Sequence, residues 1–498
     1  MTALIIHGHF YQPPRENPWT GEVEAEPSAA PFHDWNERIH AECYAPNAAV
    51  NNYARMSFNF GATLLSWVEQ HHPDTYQHIL AADRESAARR NGHGNAIAQA
   101  YGHAILPLCN ERDRLTHVVW GVADFRFRFG REPEALWLPE TAANDATLAL
   151  LIDQGLRYVI LAPEQAKRVR PVASKADTLH WTDVSSGKVD TTRAYRFEHP
   201  TDPGRSIAVF FYDGSLARAI AFEKALTSSR GLVEKFIHAG ERGDLVNVAT
   251  DGETYGHHFK FGDLGLAHAL GVEARQAGFW ITNYGEYLDR HAPDSVVEIE
   301  NGPEGEGSSW SCVHGVGRWA RDCGCYTGGE AGWNQAWRDP LRMALNFLRD
   351  DAALKFESGA SELLSEPWAA RNDYISVLLE PKRKREEFLA RNAVRSLSET
   401  ERVRVFQLLE MQRSALLMFT SCGWFFSDLA GIETVQVLRY AARVLDLQKQ
   451  LDFDAPRKEF LELLANAKSN RPDKGNGAEI FLRSAEPQTI HPEPARVS

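Results

Sequence analysis

The sequence predicts a parallel α/β barrel, or a related α/β layer fold, followed by a mainly α-helical region. Three observations carry this expectation. Short apolar runs alternate with stretches of helical spacing over the first 290 residues or so, the pattern of strand–helix units in a parallel sheet. Two of those runs stop abruptly at a carboxylate, at Glu140 and at Asp251. From about residue 330 the spacing turns helical, in 340–356, 360–364, 371–389, 399–418, 431–451 and 456–467.

Taken in order, residues 3–6 form a short strand that opens into His7-Gly8-His9-Phe10-Tyr11-Gln12-Pro13-Pro14. Residues 15–42, rich in Pro, Glu and Trp, read as a long loop over the top of the barrel. Residues 47–70 and 73–90 carry helical spacing; 95–108 holds Gln99, Tyr101, Gly102 and His103 and stops at Pro107. A helix is expected over 112–129, with Trp120, Phe125 and Phe129 on its apolar face. The strand at 135–139 leads to Glu140, then to a helix capped by Asn144 or Asp145 with Leu148, Leu150 and Leu151 facing inward. Further strands are read at 158–161, 207–212 and 279–281, a small β excursion at 170–206, and helices at 230–241 and 264–277. Between those two helices lies the central run LVNVATDGETYGHH, residues 245–258. This divides the chain into a barrel (1–295), a helical region (296–468) and a polar, Pro-rich tail (469–498) expected to be poorly ordered.

Hydrophobic residues make up 43% and charged residues 24% of 498, ordinary for a soluble globular protein with a large core. A net charge of −13 argues against nucleic acid as the main partner. The most apolar stretch, 414–426, is too short and interrupted to span a bilayer. The opening MTALIIHGHF lacks the basic start of a signal peptide, and six cysteines in so long a chain do not suggest a disulfide framework, so a cytoplasmic protein is expected. No internal repeat or nucleotide-binding glycine loop is present, and no cofactor is indicated; oligomeric state is not legible.

In barrels of strand–helix units, catalytic side chains sit where strands end at the C-terminal face. Residues i and i+2 of a strand share a face, so Asp251 and Glu253 can point into one cleft. Carboxylates at two strand ends, Glu140 and Asp251, are what glycoside hydrolysis requires. The plainer reading is that Asp251 and Glu253 cap the following helix. His7 and His9 share a strand face and could donate hydrogen bonds to sugar hydroxyls. With Asp251, His257 and His258 they could instead hold a metal, as in a carbohydrate deacetylase. Trp137, next to Glu140, is the expected ring-stacking platform. Trp310, Trp319, Trp333, Trp337 and Trp424 divide between sugar subsites and core. Cys312, His314, Cys323 and Cys325 supply four soft ligands that zinc accepts, at a spacing that is not a standard finger or ribbon.

Three stretches, His7-Gly8-His9-Phe10-Tyr11-Gln12-Pro13, Trp137-Leu138-Pro139-Glu140 and Thr250-Asp251-Gly252-Glu253-Thr254-Tyr255-Gly256, together resemble glycoside hydrolase family 57; Gln99-Ala100-Tyr101-Gly102-His103 matches more weakly. The resemblance covers the first 290 residues or so. It implies an incomplete (β/α)7 barrel with a helical C-terminal part, and a retaining enzyme that hydrolyses α-linked glucans or transfers their glycosyl units. Glu140 is then the nucleophile and Asp251 the general acid/base. His7, His9, Gln12, His103, Trp137, Glu253, Tyr255, Trp310 and Trp424 are the candidate contacts to an oligo- or polysaccharide substrate. The sequence departs from the family pattern where Phe10 and Tyr11 precede Gln12-Pro13, and where Gln99 stands near an expected carboxylate. The segment 301–467, with Trp310-Ser311-Cys312-Val313-His314-Gly315 and 419–426, looks like an uncharacterised helical region of one family branch. The alternatives are a metal-dependent carbohydrate hydrolase and an inactive glycan-binding protein.

Overall fold

The computed structural model describes residues 1–172 and 180–486. The chain divides into two compact units: residues 1–12, 25–101 and 124–311 form one, and residues 13–24, 102–123 and those from 312 on form the other. The sequence reading expects boundaries near 295 and 468. Early stretches enter the later unit through bonds no local pattern reveals. Trp19 donates its indole N–H to Asp446 at 2.9 Å, and the buried Arg371 pairs with Asp113 at 2.7 Å.

The first unit is a mixed α/β structure. Its strands are β1 (Ala3–Phe10), β2 (Ser57–Phe60), β3 (Ala98–Gln99), β4 (Leu136–Trp137), β5 (Tyr158–Leu161), β6 (Ala166–Pro171), β7 (Thr182–Asp183), β8 (Ala194–His199), β9 (Asp202–Phe211), β10 (Leu245–Asp251), β11 (Trp280–Ile281) and β12 (Ser295–Ile299). β1 is buried along its whole length and pairs in parallel with β10, from Ala3↔Leu245 to His9↔Asp251. It also pairs in parallel with β2, from His7↔Ser57 to Phe10↔Phe60, and with β11 at Ala3↔Trp280. β3 pairs with β4 and β5 with β9, both in parallel. The excursion before β9 forms antiparallel ladders, β8 with β9 and β6 with β12; residues 173–179 of that stretch lie outside the described residues.

Two local expectations change. The stretch 47–70 is not one helix: it breaks into a helix ending at Ala49, the strand β2, and a helix from Ala62 to His71. Ser57-Phe58-Asn59-Phe60 alternates polar and aromatic with a period of two, and pairing with β1 favours that period over the helical one. Within 15–42, a helix at Trp35–Ile39 is capped by Asp34. Asn144 is the cap of Asp145–Asp153, accepting from the Thr147 N–H at 2.9 Å, worth about 1 kcal/mol.

The core of this unit explains where the site lies. Ala3 and Ile5 of β1, and Leu245 and Ala249 of β10, pack in one cluster with Trp137, Tyr158, Ile160 and Phe210. Continuing those rows by steps of two brings His7 and His9 on β1, and Asp251 on β10, to the same face at the C-terminal ends of their strands.

The second unit is mainly helical, including Arg338–Ala360, Glu399–Leu417 and Ile432–Gln450. Ser398 and Glu401 form a capping box at the start of the second of these. The tail expected to be poorly ordered from 469 carries structure through 486. The Ser469 hydroxyl donates to Asp428, Asn476 caps the helix Gly477–Ile480, and Phe481 is buried. Residues 487–498 lie outside the described residues. No helix among the described residues is long and apolar enough to cross a membrane.

Candidate active site

Glu140 follows β4 in a turn that an ordinary residue avoids. Its φ is +59° and that of Thr141 is +50°, left-handed values that cost on the order of 1–3 kcal/mol each. The turn is fixed from both sides. The Thr141 hydroxyl donates to Gln165 Oε1 at 2.8 Å, and Gln165 Nε2 returns a bond to the Thr141 carbonyl at 2.9 Å. The Trp310 backbone N–H donates to the Glu140 carbonyl at 3.1 Å. The side chain is held too: Glu140 Oε2 accepts from the Ser311 hydroxyl at 2.7 Å and from the Trp310 indole N–H at 2.9 Å. Two donors on one carboxylate oxygen orient the group and favour its ionised form.

Asp251 is the first exposed residue of β10 after six buried ones. The residue as a whole is exposed, yet the protein around its carboxyl desolvates that group. That desolvation, and then the negative charge of Glu140, push its pKa up from 3.8 to about 7. The plainer reading of Asp251 as a helix cap does not hold, since its side chain makes no capping bond to the turn that follows.

That turn overturns a second expectation. β10 stops at Asp251 and Gly252–Thr254 is a 3-10 turn, so Glu253 does not share a strand face with Asp251. Glu253 is tucked beneath, where its Oε1 accepts from the Tyr44 hydroxyl at 2.7 Å and the Tyr11 backbone N–H at 3.1 Å. Burial, and then the charge of Asp251, push its pKa up to about 8. Gly252 permits the turn, because a Cβ there would meet the Phe10 ring at 2.3 Å.

The two histidines form a supporting layer. Asn59 Nδ2 lies 2.9 Å from His9 Nδ1 and donates to Gln99 Oε1 at 2.6 Å. His7 spends Nδ1 on the Ser57 hydroxyl at 2.9 Å and Nε2 on Asn59 Oδ1 at 3.0 Å. Both nitrogens of His7 are therefore committed, and its ring is fully buried, so His7 is not a hydrogen-bond donor to a sugar. Burial lowers the pKa of both histidines to about 3, so both rings are neutral. Each stacks on the Trp137 indole, His7 at 4.8 Å and His9 at 4.9 Å between ring centroids, and Trp310 meets Trp137 edge-on at 5.3 Å.

Several sequence expectations are thereby corrected. Trp137 is 1% exposed and covered by two imidazoles, so it supports the site and offers no stacking face. Tyr255 is fully buried and its hydroxyl accepts from Thr250 at 3.0 Å, bracing the end of β10. Trp424 belongs to the second unit's core, with no exposed surface and its ring stacked on Phe419. His103 lies in that unit too, 2.6 Å from the Ser421 hydroxyl. Gln12 is half-buried and donates to the carbonyl of its neighbour Tyr11, a bond that does not contradict the expected sugar contact. Trp319 and Trp337 are buried. The metal reading of this site also fails on geometry. Among the described residues, His7, His9, Asp251, His257 and His258 do not gather three ligand atoms within 4.8 Å of one another, and His257 is bonded to Glu42.

Sequence reasoning missed Ser57 and Asn59, which orient the histidines, and Tyr44, which holds Glu253. The alternation in 57–60 was the available signal for the first two; no local signal marks Tyr44. Ser311 stood in a noted motif without a role.

The model of glycosyl hydrolase family 57 matches residues 4–300, and that of a domain of unknown function (DUF3536) matches 333–497. The chain belongs to glycosyl hydrolase family 57. No curated protein matches it by sequence. Solved structures resemble it in fold at low identity. An exo-type maltose-forming amylase from Pyrococcus sp. ST04 is 13% identical with a TM-score of 0.69, over 96% of this chain and 90% of that one. A branching enzyme from Pyrococcus horikoshii is 15% identical with a TM-score of 0.57, over 100% and 99%. A 4-α-glucanotransferase from Thermococcus litoralis is 15% identical with a TM-score of 0.53, over 90% and 60%. Membership of family 57 makes this a glycoside hydrolase-type enzyme.

Proposed function

We propose that the chain is a retaining enzyme of α-linked glucans, with Glu140 as nucleophile and Asp251 as general acid/base. The observation that carries this is the division between two neighbouring acids. Asp251 titrates near 7 and keeps a proton to give to the departing oxygen, while Glu140 is braced by Ser311 and Trp310 for attack on the anomeric carbon. The attack forms a glycosyl ester on Glu140 as the leaving sugar takes the proton of Asp251. Asp251 then removes a proton from water, or from the hydroxyl of a second sugar, as that oxygen displaces Glu140. Hydrolysis and transfer share the intermediate and differ only in the acceptor.

The scaffold of this reading is an incomplete (β/α)7 barrel made of β1, β2, β3, β4, β5, β9 and β10. Its support is the set of parallel ladders, the single bridges Phe58–Ala96 and Ala135–Tyr158, and the 2.8 Å bond from Asp213 N–H to the Asn247 carbonyl. The α-glucan assignment rests on family membership and on the amylase, branching enzyme and glucanotransferase that share the fold. The six free cysteines suit a reducing, cytoplasmic setting.

The test is product analysis on maltooligosaccharides, with chain lengths by chromatography and anomeric form by proton NMR. Products released first as α-anomers support the reading, and chains longer than the substrate identify transfer. Products released as β-anomers, or binding without turnover, overturn it.

A further inference from the structure

Cys312, His314, Cys323 and Cys325 of the second unit each offer one ligand atom, and all four atoms lie within 4.8 Å of one another. Cys312 Sγ is 3.8 Å from Cys323 Sγ, and Cys325 Sγ is 3.5 Å from His314 Nδ1. A tetrahedral zinc ion, with Zn–S of about 2.3 Å and Zn–N of about 2.0–2.1 Å, has S–S edges of about 3.8 Å and S–N edges of roughly 3.5 Å. Both measured edges fit that figure. A two-iron cluster would hold its ligand pairs farther apart than this set allows.

From this we propose that Cys312, His314, Cys323 and Cys325 form a structural zinc site. Zinc binding replaces the thiol protons, which pass to solvent.

The surroundings suit a closed structural site. The segment between Ser308 and Trp337 has only one short 3-10 helix, Gly317–Trp319, yet it buries Val316 and Trp319 completely. A cross-link that closes so long a stretch of irregular chain brings a large gain in loop-closure entropy. The chain runs close to itself at the cluster: a Cβ on Gly317 would stand 3.1 Å from the Cys323 Cβ. Zinc bound by three thiolates and one neutral imidazole carries a net negative charge. The fully buried Arg338 donates to the Cys325 carbonyl at 2.6 Å, and its Nε and Nη2 find no hydrogen-bond partner among the described residues. A guanidinium so placed balances that charge, as outer groups do at metal sites.

The experiment is metal analysis of the reduced full chain, as purified without chelator and after reconstitution with zinc alone. Wild type and Cys422→Ser, whose cysteine lies outside the cluster, should each hold about one zinc per chain. Cys323→Ser should lose it. Cobalt in place of zinc should give the visible bands of a tetrahedral ion and a near-ultraviolet thiolate-to-metal band. Should Cys323→Ser not fold, His314→Ala, at an exposed position, keeps the test open: it should release zinc to a chromogenic chelator with an affinity at least ~10-fold weaker. Wild type that refuses zinc when reduced, a cobalt spectrum without thiolate character, or a His314→Ala variant that binds as tightly as wild type would each overturn the proposal.

Discussion

The Ser311 hydroxyl donates a 2.7 Å hydrogen bond to Glu140 Oε2, the oxygen that also accepts the Trp310 indole N–H. A hydrogen bond to a charged group is worth about 1.5–3 kcal/mol, so each donor is a measurable part of how the nucleophile is held. Ser311→Ala should lower kcat/KM roughly 10- to 100-fold, and Trp310→Phe by a similar factor, with unchanged circular dichroism. A Ser311→Ala variant as active as wild type would separate this bond from catalysis.

The pH profile follows from Asp251. As general acid it must be protonated, and its pKa is raised to about 7 by desolvation and then by Glu140. Activity is therefore lost as pH rises through about 7. Glu140→Gln removes the neighbouring charge, so the Asp251 pKa should fall in that variant, as a carbon-13 NMR titration of the aspartate carboxyl would record. An unchanged titration would mean that the two groups are not electrostatically coupled.

Replacing the acid should penalise substrates according to their leaving group. Asp251→Asn should cost about 10²–10⁴-fold on maltooligosaccharides, the usual share of proton transfer. On an α-glucosyl fluoride, whose fluoride needs little protonation, the loss should be much smaller. Equal losses on both substrates would remove Asp251 from the acid role.

Glu253 makes a prediction about stability. Its folded pKa of about 8 stands above the ordinary 4.5, so the folded state keeps a proton that the unfolded chain releases. Stability from this group is present in full below about pH 4.5 and is lost as pH rises towards 8. Glu253→Gln should flatten the fall in melting temperature between pH 5 and pH 9. An identical slope in wild type and variant would refute the assignment.

Much of this site was legible in the sequence because its chemistry sits where apolar runs end. Leu245-Val246-Asn247-Val248-Ala249-Thr250 fixes a buried strand, and the next residue is the acid; the run into Glu140 works in the same way. Asn144 marks its helix as caps do. What stayed hidden depended on distant partners. Glu253 lies beneath the strand end because Tyr44, some 200 positions earlier, holds it. Trp137 reads as a sugar platform until His7 and His9 are found stacked on it, and Trp424 until its burial beside Phe419 is seen. β2 was lost inside a helical pattern because its neighbours on both sides are helices, and pairing with β1 decides the period between them.

The pairing of Glu140 with Asp251 is tested most directly by trapping the nucleophile. A 5-fluoro-α-glucosyl or -maltosyl fluoride should inactivate the enzyme by leaving a stable glycosyl ester, located by peptide mass spectrometry. The account predicts one label, on Glu140, absent in Glu140→Gln. A label on any other residue of an active enzyme would contradict it.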